Sequence, residues 1–227
     1  MKHPHTLNQT VRSSDLLKED DVELLKHWVH RGLCLSEPLM DGTPLLFAAC
    51  CHEEPRPQII DWLLEQKVDV NAQNTAGENL LVTLCFMDDE DKRYNIIAKL
   101  IQAGIEVNTC GQYTNSPLIM AAFQGKTKTV SLLIQSGANF HRADDEGFTA
   151  LMLACVFGHN DVVQILLNAG ADSSLINHHG QSAMDIALEN GQAHTVQLFL
   201  AYEQQKRLND VLEDEIPASG ILPRSRL

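Results

Sequence analysis

The chain has 227 residues, 44% of them hydrophobic and 21% charged, a balance found in soluble globular proteins rather than in disordered or fibrous ones. Its 17 Lys+Arg against 30 Asp+Glu leave a formal net charge of −13, which argues against nucleic acid or a membrane surface as partner. No run approaches a membrane span, the start carries no apolar leader, and the six cysteines form no C-x-x-C, so a reducing, cytoplasmic setting is expected.

In chain order, a weak helix is predicted around Asn8 to Leu17, then a firmer one from Asp21 that ends on Gly32. Thr43 before Pro44 has the form of an N-cap followed by the residue best tolerated at the first helical position, opening a short helix through Ala48-Ala49. A second helix follows with Ile59, Ile60, Leu63 and Leu64 in helical spacing, and Lys67 where a capping glycine is wanted. The pattern returns at Gly77-Glu78-Asn79-Leu80-Leu81, closing on Gly104, and at Asn115-Ser116-Pro117-Leu118 with Ala121-Ala122, closing on Gly137. Its clearest copy runs from Glu146 through Phe148-Thr149-Ala150-Leu151, Gly158-His159 and Val162 to Leu167, and closes with Gly170-Ala171-Asp172. A last copy starts at Gly180-Gln181-Ser182-Ala183-Met184 and continues as a long charged helix to Val211-Leu212.

The threonine-equivalent positions 43, 79, 116, 149 and 182 are separated by 36, 37, 33 and 33 residues, the period of a helical repeat array. The extra residues of the two longer units, His52 to Pro57 and Asp88 to Arg93, fall between the paired helices. One such helix pair cannot bury its own apolar stripe, so a core forms only when neighbours stack.

These residues resemble the ankyrin repeat, over roughly positions 8–212. The resemblance implies an all-α solenoid of helix-turn-helix units joined by β-hairpin-like loops, about six repeats in all. Residues 1–40 would form a degenerate N-terminal cap; 41–73, 74–110, 111–143 and 144–176 the internal repeats; 177–212 a C-terminal cap; and 213–227 a flexible tail. It also implies protein binding through a concave groove formed by the hairpin tips and the ends of the first helices. Carried over residue by residue, the groove comprises Phe86, Met87, Gln112, Tyr113, Asn115, Phe123, Gln124, Asp145, Glu146, Phe148, Phe157, His178 and His179, with Glu78 among the neighbouring positions. Five of the chain's 12 aromatic residues stand there, a hot-spot pattern, although Phe123 and Phe157 could equally pack between repeats.

His159 matches the family's Gly-His step, where the histidine is structural. Cys50-Cys51-His52-Glu53-Glu54 contains metal-ligand residue types, but adjacent side chains diverge and no second Cys/His pair stands at zinc-site spacing. With no nucleophile–base set, phosphate loop or cofactor motif, neither catalysis, a metal nor a cofactor is expected. The acidic run Asp88 to Asp91 reads either as a steering patch for a basic partner or as a solvated loop. The first functional expectation is a non-catalytic interaction module, a monomer when free; the alternative is a stoichiometric inhibitor, such as an immunity protein or antitoxin, that occludes a basic toxin or enzyme surface.

Overall fold

The computed structural model describes residues 5–111 and 115–215, with side chains over 7–111 and 115–212. These form an all-helical stack of antiparallel pairs. At the N-terminus α1 (His5–Asn8) and α2 (Ser13–Leu16) are single turns, followed by α3 (Val22–His30). The pairs are α4 (Leu45–Cys51) with α5 (Pro57–Glu65), α6 (Leu80–Phe86) with α7 (Glu90–Gln102), α8 (Pro117–Phe123) with α9 (Thr127–Gln135), α10 (Ala150–Phe157) with α11 (Asn160–Asn168), and α12 (Ala183–Glu189) with α13 (Ala193–Glu215). First helices pack on first helices and second on second along the stack.

The weak helix expected over Asn8 to Leu17 is broken in two. Asn8 is buried, and its amide donates to the carbonyls of Cys34 (2.8 Å) and Glu37 (3.0 Å) and accepts from the Cys34 N–H (2.9 Å). The side chain thereby serves the following loop rather than a continuous helix, in the way Asn competes with helical backbone. Thr43 is not the cap of α4: Pro44 occupies that position with an extended ψ of 140°, and no side chain caps the helix. The Thr43 N–H goes instead to Asp41 at 3.2 Å. Ser116 and Thr149 do cap, each accepting an N–H three residues on.

Between pairs the chain reverses through tight loops pinned by isolated antiparallel bridges, Gln73 with Asn79, Ala143 with Thr149 and Ile176 with Ser182. In each, an Asx side chain closes the turn. Asp144 accepts from the N–H groups of Glu146 (3.0 Å) and Phe148 (2.8 Å), and Asn74 and Asn177 repeat this with Ala76 and Glu78, and with His179 and Gln181. Adjacent tips touch: the His178 N–H donates to the Glu146 carbonyl at 3.0 Å. A Cβ at Gly147, where φ is +83°, would stand 3.0 Å from that same nitrogen, so only glycine serves there. Lys67 takes the left-handed conformation (φ +56°) that glycine has at the ends of the other internal pairs, so its departure from the pattern leaves the turn unchanged.

Most of the extra residues of the second pair, Asp88 to Arg93, do not lie between its helices. Glu90–Arg93 form the first turn of α7, which runs 13 residues where α5, α9 and α11 run nine. Asp89 caps it, accepting from the Lys92 N–H at 3.3 Å, and Glu90 and Asp91 occupy the positively polarised N-terminal turn where carboxylates are favoured. At the other end α13 extends through Glu215, so the helix takes in residues 213–215 of the segment expected as a tail; 216–227 lie outside the described residues. No described helix is long and apolar enough to cross a membrane.

Candidate protein-binding site

The core that positions the groove is a single stripe of buried leucine, isoleucine, valine and alanine running through every pair. Small residues at Ala49, Ala121, Ala122, Ala154 and Ala187 are fully buried and allow the first helices to approach closely. Between successive pairs a second, polar device operates. Arg56, Arg93, Lys126, His159 and Gln192 occupy one structural position, and the last four are spaced 33 apart. Each reaches back to carbonyls of the preceding unit.

Arg93, 3% exposed, donates to Cys50 O (2.5 Å) and His52 O (2.7 Å). Lys126, 5% exposed, donates to Leu84 O (3.2 Å) and Met87 O. His159 Nε2–H donates to Phe123 O (3.0 Å), Gln192 Nε2 to Val156 O (3.4 Å) and Arg56 to Lys18 O (3.1 Å). From Arg93 onward the acceptors are the terminal carbonyls of the preceding first helix, which carry the negative end of its dipole. Burial lowers the Lys126 ammonium below its usual pKa.

This ladder fixes the ends of α6, α8 and α10, and those ends carry the aromatic row. Phe86, Phe123 and Phe157 stand in line across three successive repeats. Phe123 lies 6.1 Å from Phe86 and 4.6 Å, edge-on, from Phe157, measured between ring centroids. Phe86 is 50% and Phe157 48% exposed, while Phe123 is half-buried between them. Phe157 also stacks on the His159 ring at 6.2 Å. Gln124 steadies the row by donating to Phe86 O at 2.6 Å.

The remaining candidates divide. Met87 is half-buried against the core, and its carbonyl is a Lys126 acceptor. Phe148 packs its ring on the core, with His179 6.4 Å away, so it anchors a hairpin tip more than it presents a free face. Asp145, Glu146, His178 and His179 are exposed at the tips, and Asn115 is half-buried. Gln112 and Tyr113 lie outside the described residues.

A cleft of about 310 Å³ opens beside Phe86, lined also by Glu78, Val82, Thr83, Asn115 and Met120. The spacing of 33 back from His159 would have revealed Lys126 and Arg93 in the sequence; nothing local marks the cleft. Cys50 is buried and Cys51 half-buried, and among the described residues no group of three or more His, Cys, Asp and Glu stands together to hold a metal.

Asp89, Glu90 and Asp91 of the acidic run have partners along the outer surface of the stack. Asp91 pairs with Lys128 (2.6 Å), Asp89 with Lys92 (3.2 Å), and Glu90 accepts from the Thr129 N–H (2.7 Å) at the start of α9. Asp61–Lys99 (2.5 Å) and Glu54–Lys92 (2.9 Å) continue the same cross-repeat pairing.

The family model for ankyrin repeats in three copies matches residues 84–177 and 118–210, and that for the single ankyrin repeat matches 41–75. The chain belongs to the ankyrin-repeat family, whose members generally serve as protein–protein interaction modules rather than as enzymes. No curated protein matches the chain.

Proposed function

We propose that this protein binds a protein partner in the groove formed by the ends of α6, α8 and α10 and the adjoining hairpin tips. The carrying observation is the phenylalanine row: three rings in contact across three successive repeats, with Phe86 and Phe157 half-exposed on the same face. A contiguous aromatic patch on a rigid support is what hot spots are made of. Rigidity comes from the donor ladder below the rings, which holds the carbonyls of Phe123 and Val156 and lets the row meet a partner with little ordering cost. Asp145, Glu146, His178 and His179 line the tips, and Gln112 and Tyr113 belong to the same groove by their place in the repeat.

The test is affinity capture from the native source with the intact chain and with a Phe86→Ala/Phe157→Ala variant. The variant should lose the captured partner, with affinity at least about tenfold weaker on direct titration. Equal capture by both would place binding elsewhere. The inhibitor reading concerns the same contact, and assay of the captured partner's own activity with and without this chain at equimolar ratio decides it.

A further inference from the structure

We infer that the cleft beside Phe86 receives one lysine or arginine side chain of the partner. This rests on the groove reading above and adds the chemistry of the occupant. At about 310 Å³ the cleft is roomy enough to take one long side chain.

Its lining has one charged group, the half-buried Glu78 carboxylate. The Asn74 side-chain amide donates to one of that carboxylate's oxygens at 2.6 Å, while its Oδ1 accepts the Glu78 N–H at 3.0 Å, so the acid is fixed in place by its own turn. Val82 and Met120 supply apolar wall, and Phe86 a half-exposed ring. The methylene stem of a basic side chain matches the first two, and its cationic head matches a carboxylate next to an aromatic face.

The other charges agree. The buried cations of the same and the next unit, Arg93 and Lys126, are turned into the stack and bonded to helix-end carbonyls, while Glu146 and Glu189 lie exposed on a hairpin tip and at a first-helix end. An acidic side chain would meet Glu78 as a like charge, and an apolar one would bury that carboxylate without a counter-charge.

A phage library of random dodecapeptides selected on the immobilised full chain tests this, followed by titration of the best synthetic peptide. The expected winners share a Lys or Arg next to apolar residues. Replacing that residue by norleucine, or Glu78 by Gln, should weaken binding about tenfold, while Glu78→Asp retains part of the affinity and thermal unfolding of each variant stays unchanged. Winners without a basic residue, or equal binding by Glu78→Gln, overturn the assignment of the cleft. Winners that bind the Phe86→Ala/Phe157→Ala variant as tightly as the natural chain overturn the groove reading itself, and failure to enrich any peptide overturns both.

Discussion

Lys126 shows how a single side chain in this array carries structural information that its residue type conceals. A lysine is a surface residue by default, yet here its ammonium lies under the end of α6, bonded to Leu84 O and Met87 O. Removing it leaves buried carbonyls without a donor, a loss of the kind that costs about 1–3 kcal/mol. Lys126→Ala should therefore lower stability to chemical denaturation by that amount. Lys126→Arg should recover most of it, since Arg93 fills the equivalent position one repeat earlier. Indifference of the denaturation midpoint to Lys126→Ala would show that the carbonyls find other partners.

Helix α12 is the element whose boundary is best determined by local chemistry. Ser182 and Asp185 form a reciprocal capping box: the Ser182 hydroxyl accepts from the Asp185 N–H (3.2 Å), and the Asp185 carboxylate accepts from the Ser182 hydroxyl (2.6 Å) and N–H (2.9 Å). The Ser182 hydroxyl, and then its N–H, hold the Asp185 carboxyl below its ordinary pKa. Ser182→Ala should cost about 1 kcal/mol, read as a shift in the urea midpoint of the terminal unit, and no shift would remove the cap from the account. Helix α7 is the contrasting element. Its extra turn is acidic, and the sequence reading places those residues between the paired helices. Asp89 and the pairing of Asp91 with Lys128 of the next helix resolve it as helix.

The molecule as a whole couples its units through burial, and that coupling has a pH signature. Cys51, Cys85 and Cys155, one in each of three repeats, have thiols pushed up to about 12 from 9.0 by burial. Unfolded, they ionise near 9; folded, they keep their protons, so the unfolded chain binds fewer protons between about pH 9 and 12 and stability falls through that range. Below pH 9 their contribution is fully present. Melting temperature should therefore decline on titration from pH 8 upward, and a Cys85→Ala/Cys155→Ala variant should decline less steeply. Equal slopes would assign the alkaline loss to other groups.

The repeat period, the capping glycines, Ser116 as a cap and the apolar stripes of the second helices were all legible in the sequence, because each is written in residue type and spacing along the chain, whereas Thr43, read in the same way, does not cap its helix. The positions of Phe86, Phe123 and Phe157 were also legible from the repeat frame, though their edge-to-face contact was not. What the tertiary structure alone decided involves partners a full repeat apart. The donor ladder joins Arg93 to Cys50, 43 residues away, and His159 to Phe123, 36 away. The acidic run found its counter-charge in Lys128 of the next repeat, and the cleft beside Phe86 draws Glu78 and Met120 from different units. Helix formation is a local transaction between adjacent turns, whereas the burial of a charge and the exposure of a ring are set by whichever unit is stacked beside them.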